Sequence, residues 1–156
     1  SVEKLAREGE ANIAFPKMFR GSGYDFSYSG LKTAVINYCH TREQKGEEYS
    51  RADVAASFQA AACGVLAERA VAAAKEKKCK TIAAGGGVIA NGYLRELLQK
   101  ECGAAGIKLV LPEKKYCTDN AAMIAAEGLV QYHAKNFADL SINACAHIPL
   151  GKKGKQ

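Results

Sequence analysis

The chain has 156 residues, 48% of them apolar and 24% charged, with 22 basic and 16 acidic side chains for a net charge of +6. That is one ordinary domain, long enough to bury its own core, and the composition excludes disordered, collagen-like and low-complexity classes. No continuous apolar run reaches the roughly 18 residues of a membrane span, and Ser1-Val2-Glu3-Lys4 lacks the pattern of a secretory signal.

Lys152, Lys153 and Lys155 lie in the last five residues, so a net +6 less three leaves a mildly basic body at +3. That permits contact with nucleic acid without demanding it; residues 151–156 read as a basic, solvated tail. Six cysteines, at 39, 63, 79, 102, 117 and 145, form no CxxC unit. Several sit beside alanines in helical patterns, where Cys serves as a small apolar residue. A reducing, cytoplasmic compartment is expected. His40, His133 and His147 form no HxxxH or HExxH pair, so the spacing excludes a self-contained metalloprotease site. The first residue is Ser, and the chain is expected to be a piece of a longer parent.

In chain order, Ser1 caps a short helix over 2–8 that Gly9 stops. Ile13–Phe15 and Tyr24–Tyr28 read as short extended segments. Leu31–Cys39 reads as a helix capped by Ser29, and 41–49 as a polar loop around Gly46. A long helix follows over 51–77, with Val54, Phe58, Ala61, Ala62, Val65 and Ala72 on one stripe. Ser50 and Asp53 have capping-box spacing at its start. Thr81–Ala84 is a buried strand, Asn91 opens a helix with Leu94, Leu97 and Leu98 inward, and Ile107–Leu111 is a second strand ended by Pro112. A last, Ala-rich helix runs over 120–134, with Met123, Ile124, Leu129 and Val130 as its bulk. Residues 79–135 thus alternate β-α-β-α, the pattern of a parallel sheet with helices packed on it.

Three segments could carry chemistry. In Ile82-Ala83-Ala84-Gly85-Gly86-Gly87-Val88-Ile89-Ala90-Asn91-Gly92 a strand runs into three glycines and then a helix. Glycines let a ligand approach the backbone, and the helix start favours an anion. Asn91 can donate and accept towards a ribose, a base edge or a phosphate. The same residues also suit a tight turn with Asn91 as a plain N-cap. Gly85-x-Gly87-x-x-Ala90 matches a loose dinucleotide fingerprint, but the acidic residue that should follow is missing. In Cys117-Thr118-Asp119-Asn120, Asp119 lies past the carboxyl end of a strand, where ligands collect in open α/β sheets. It could bind a metal or act as a base, or it or Thr118 could merely cap the next helix. In Asp25-Phe26-Ser27-Tyr28-Ser29-Gly30-Leu31-Lys32-Thr33, Lys32 stands in a first helical turn, which the dipole disfavours. It either reaches an anion or points into water. Asp53, in Asp53-Val54-Ala55-Ala56-Ser57-Phe58-Gln59, is adequately explained by capping.

These four stretches, in this order, resemble the C-terminal half of the tRNA threonylcarbamoyladenosine biosynthesis transferase family, bacterial branch, from Ser1 to about Ala134. The shared residues include Leu94-Arg95 after the glycine turn and Ala121-Ala122-Met123-Ile124 after Asn120. The resemblance implies an α/β chain forming one lobe of an actin-like ATPase (ribonuclease H-like) fold, with a mixed sheet and helices packed on it, spanning 1–150. It implies transfer of a threonylcarbamoyl group from threonylcarbamoyl-adenylate to the N6 amine of the adenosine beside the anticodon of certain tRNAs. By motif match, Asn91, Gly86 and Gly87 touch the adenylate, and Ser29 and Lys32 belong to the substrate side. Asp119 becomes a ligand of one divalent metal, iron or zinc. The family's HxxxH histidines and phosphate loop are absent here, so the metal site is expected to be incomplete, the chain alone inactive, and no residue is assigned as catalytic. TsaB-like and TsaE-like subunits are the implied protein partners, with no membrane. A non-catalytic actin-like nucleotide-binding scaffold is the alternative.

Overall fold

The computed structural model describes residues 1–16, 23–25 and 27–144. Phe26, Cys145, His147 and the tail 151–156 lie outside the described residues. The chain divides into two compact units, Ser1–Thr118 and Asp119–Gln156, where a single lobe to residue 150 is expected from sequence.

The first unit is built on α3, Arg51–Glu76. Ser50 Oγ accepts from the Asp53 N–H at 3.1 Å, so the expected cap forms. Small residues at Ala55, Ala56, Cys63 and Ala67 let other elements approach closely, and all four are buried. α1, Val2–Ala6, packs on α3 and is capped by Ser1 as the sequence predicts. Gly9 is what permits that approach: a Cβ there would lie 2.2 Å from the Ala52 carbonyl carbon. Asp53 does more than cap. Its carboxylate accepts from the Glu10 N–H at 2.9 Å and the Asn12 amide at 3.3 Å, which pins the chain leaving α1.

α2 spans Ser29–Lys45, longer than its sequence pattern. The polar stretch from Thr41 continues the helix until Gly46 takes φ +65° and ends it. Its N-cap is Tyr28 without a side-chain bond, and Ser29 is the first helical residue; the expected Ser29 cap is corrected. Fully buried Leu31 joins α2 to Val65 of α3.

β1, Thr81–Ala83, and β2, Lys108–Val110, pair in parallel with Ile82 opposite Leu109. The expected mixed sheet is, among the described residues, this one parallel pair. α4, Gly92–Ala104, connects the strands and turns Leu94, Leu98 and Cys102 inward, where they are buried at spacings of four. Leu94 and Leu98 meet Cys63, Ala67, Ile89 and Cys117 in one cluster. Gly106, at φ +67°, turns the chain from α4 towards β2. Neither Ile13–Phe15 nor Tyr24–Tyr28 forms a strand among the described residues. Ala72, placed on the apolar stripe of α3, is exposed, while Val71 and Ala74 are buried in its place.

α3 is long and apolar enough to cross a membrane by length and composition alone, with a window of mean hydropathy 1.2. Half of that window is buried within the protein, which is how the central helix of a packed domain reads. The five described cysteines are free thiols. Burial pushes the Cys63 thiol up to about 11, so it is an inert packing group.

In the second unit α5, Ala121–His133, begins at Asn120, whose Oδ1 accepts from the Met123 N–H at 3.0 Å. Asn120, rather than Thr118 or Asp119, is thus the cap. α5 has no buried residue.

Candidate functional site at the glycine turn

The sequence Ala84-Gly85-Gly86-Gly87 leaves β1 with the Ala84 N–H still bonded to the Val110 carbonyl at 3.1 Å. The chain then turns through Gly86 at φ +94°, a conformation an L side chain rarely adopts, and a single 3-10 turn runs over Gly87–Ala90. A Cβ added to Gly85, Gly86 or Gly87 would meet nothing within 4 Å. The glycines are therefore not demanded by internal packing: they leave the backbone bare towards open space. Among the described residues the N–H groups of Gly86 and Gly87 have no partner. Bare amides beside open space suit an approaching anion or carbonyl. An apolar cavity of about 220 Å³ adjoins them, lined by Ala84, Val88, Ile89 and Leu94.

Asn91 closes this turn. Its Oδ1 accepts from the Leu94 N–H at 2.9 Å, so the cap reading of Asn91 is correct. Its Nδ2 donates to Gln59 Oε1 at 2.9 Å. Gln59 is 8% exposed, on the buried side of α3. The second N–H on Nδ2 has no partner among the described residues. Both ends of the Asn91 amide are thus fixed, which aims that remaining donor.

The start of α4 is already occupied by a protein anion. The Gly92 N–H donates to Glu3 Oε1 at 3.0 Å, and Arg7 pairs with the same oxygen at 2.9 Å. The Gly92 N–H first, and then Arg7, hold the Glu3 carboxyl below its usual 4.5. An incoming anion therefore has the glycine turn, and not the first amide of α4, to bind.

Arg95, in the same helix, donates to the Ile89 carbonyl at 3.1 Å and to the Pro112 carbonyl at 2.6 Å. It links the turn after β1 to the segment after β2. Glu3 is 89 residues from its partner in sequence and no local pattern marks it. Gln59 and Arg95 stand inside quoted motifs, but their partners are set by the approach of α3 and of β2.

The structure therefore brings Gly86, Gly87 and Asn91 together. Ser29 and Lys32 line another cavity, an apolar groove of about 700 Å³ between α1, α2 and α3 with Val2, Leu5, Val35 and Phe58. Asp119 is exposed and belongs to the second unit. No three His, Cys, Asp or Glu side chains converge among the described residues, so Asp119 does not sit in a metal site formed by them.

A bare glycine turn and a clamped Asn at the carboxyl end of a parallel strand make a candidate ligand site at the edge of an α/β protein. The family model for TsaD, tRNA N6-adenosine threonylcarbamoyltransferase, matches residues 1–126. The chain belongs to this family. It is 44% identical to a tRNA N6-adenosine threonylcarbamoyltransferase of Clostridium botulinum, over 97% of this chain and 45% of the relative. It is 47% identical to one of Moorella thermoacetica, over 96% and 44%. A third, from Lactobacillus delbrueckii subsp. bulgaricus, is 48% identical over 96% and 44%. The chain thus spans less than half the length of these curated relatives. The crystal structure of HypF from T. kodakarensis superposes with a TM-score of 0.58 over 86% of this chain and 16% of that one, at 21% identity. That likeness concerns the fold alone.

Proposed function

We propose that this chain provides one wall of the adenylate site of a tRNA-modifying transferase, within a lobe of actin-like fold. The observation that carries the reading is the bare glycine turn with Asn91 clamped beside it. The Gly86 and Gly87 amides would receive the adenylate's phosphate or carbonyl oxygens, and the remaining Asn91 N–H its ribose or base edge. Val88, 67% exposed, offers an apolar surface to a flat base. In this reading the threonylcarbamoyl carbonyl of threonylcarbamoyl-adenylate is attacked by the N6 amine of the tRNA adenosine beside the anticodon. The new C–N bond forms as AMP leaves. No side chain of this chain is assigned as a base, and the isolated chain is inactive.

Asp119 is proposed as this chain's one ligand to a divalent metal, iron or zinc, with its other ligands outside the described residues. Ser29 and Lys32 are proposed to serve the substrate side from their own groove, towards tRNA or a partner subunit of the TsaB-like or TsaE-like kind. The cytoplasm, where tRNA is modified, is the proposed location.

Titration of the chain with AMP, followed by the amide shifts of Gly85–Gly87, tests the reading. Asn91→Asp keeps the cap but replaces the aimed N–H with a negative charge. It should keep the cap, lose the stability that the Gln59 bond supplies, about 1 kcal/mol, and lose AMP affinity by about 1–3 kcal/mol. Normal AMP binding by Asn91→Asp would reduce Asn91 to a plain cap and leave the ligand to the glycine backbone alone.

A further inference from the structure

The sheet at the base of the site is thin. Each strand has three residues, and the two connections beyond their carboxyl ends carry few ladder bonds of their own. Arg95 spans that gap. It stands in the first turn of α4, where the helix dipole disfavours a cation. Its guanidinium donates to the Ile89 carbonyl in the glycine turn and to the Pro112 carbonyl beyond β2, with Cys117 Sγ at 3.7 Å. Ile89 and Cys117 are 3% exposed and Pro112 is half-buried, so two of the three contacts of Arg95 lie in the core. Among the described residues no carboxylate pairs with Arg95. The charge is balanced by backbone dipoles, and a forked donor is what two separated carbonyls require.

We infer that Arg95 is a positioning residue. It locks the glycine turn to the 112–118 segment, and so presents the Gly86 and Gly87 amides and Asn91 in one binding geometry. This rests on the adenylate reading above. Lys at this position can satisfy one carbonyl at a time; Met can satisfy neither.

Hydrogen exchange and AMP titration of the whole chain test the inference. The Ile89 and Asn91 amides report the turn, and the Tyr116 and Cys117 amides report the opposite segment. Arg95→Met should speed exchange at all four, leave the amides of α3 unchanged, and weaken AMP binding about tenfold, the loss of roughly one well-placed hydrogen bond. Arg95→Lys should restore part of both effects; if Arg95→Met does not fold, the loss in Arg95→Lys carries the test. Unchanged exchange on either side of the clamp overturns the inference. So does accelerated exchange with wild-type AMP affinity, which would make Arg95 a stabilising residue only. Asn91→Ala is the control for the underlying reading. Should wild type itself show no amide shifts at Gly85–Gly87, the adenylate reading fails and takes the role of Arg95 with it, and Asn91→Ala binding AMP as wild type does reduces Asn91 to a plain cap. If it binds weakly while Arg95→Met binds normally, only the inference about Arg95 fails.

Discussion

α4 and α5 are built alike and end up differently. Each has thirteen residues, and each starts at an Asn whose Oδ1 accepts from the N–H three residues on, at 2.9 and 3.0 Å. α4 buries Leu94, Leu98 and Cys102, and α5 buries nothing. Ile124, Leu129 and Val130 of α5 are 67%, 58% and 60% exposed. Yet α5 is the more apolar helix by sequence: Ala121-Ala122-Met123-Ile124-Ala125-Ala126 has no polar member, whereas α4 carries Arg95, Glu96, Lys100 and Glu101. The comparison separates two properties. A helix start is a local contract between a side chain and its own backbone. Burial needs a second surface, and α4 has one because α3 presents small residues to its Leu stripe.

The largest effect expected from this contrast lies in the core. Leu98→Ala should cost about 2–5 kcal/mol, because α3, α4 and the turn close around that side chain. Leu129→Ala in α5 should stay within about 0.5 kcal/mol. Urea denaturation of the two variants measures both, and equal losses would break the contrast. Gly9→Ala should come next, at about 1–3 kcal/mol, since a Cβ drives α1 off the Ala52 backbone and carries Glu3 away from Gly92. Its thermal melt, set beside Glu3→Gln, divides the packing loss from the lost cap.

The caps should differ as well. Asn120→Ala should lose about 1 kcal/mol, felt as reduced helicity in α5. Asn91→Ala removes a cap of the same kind and also leaves the buried Gln59 amide without its donor, which raises the cost to about 1–3 kcal/mol. Equal losses by circular dichroism and melting would mean that the Gln59 bond contributes nothing. The smallest effect is a pH slope. Glu3 has its carboxyl lowered by the Gly92 N–H and Arg7. Its contribution is therefore fully present above its ordinary value of 4.5 and fades as pH falls below 4.5 through the lower folded value. Glu3→Gln should flatten that part of the stability profile by removing the contribution at neutral pH, and leave stability at acid pH, below the folded value, nearly unchanged.

Much of the first unit was legible because its signals are local. Ser1, Ser50 and Asn91 cap helices through bonds to residues three positions on, whereas in the second unit the cap of α5 falls on Asn120 and not on Thr118 or Asp119. Leu94 and Leu98 read inward by spacing alone, and the strands at 81–83 and 108–110 follow from short apolar runs, but the expected burial of 81–84 does not hold: both strands read exposed, half-buried, exposed. The polar stretch 41–45 was misread because a solvated helical turn and a polar loop have the same composition. The motif residues Gly86, Gly87 and Asn91 are picked out by sequence; the structure leaves both glycines exposed and Asn91 half-buried beside them.

What tertiary structure decided is which partners those residues meet. Nothing near Glu3 in sequence indicates that its carboxylate caps a helix 89 residues away. Asp53 carries an N-cap spacing, but its oxygens hold Glu10 and Asn12, because α1 returns across the start of α3. Gln59 aims Asn91, and Arg95 joins two turns, only because α3, α4 and β2 converge there. Ser29 and Lys32 are tied to the substrate side by family resemblance, yet line a different groove. Caps, turns and periodicity depend on chain neighbours, so the sequence determines them; clamps and the grouping of a site depend on segments that meet only after packing.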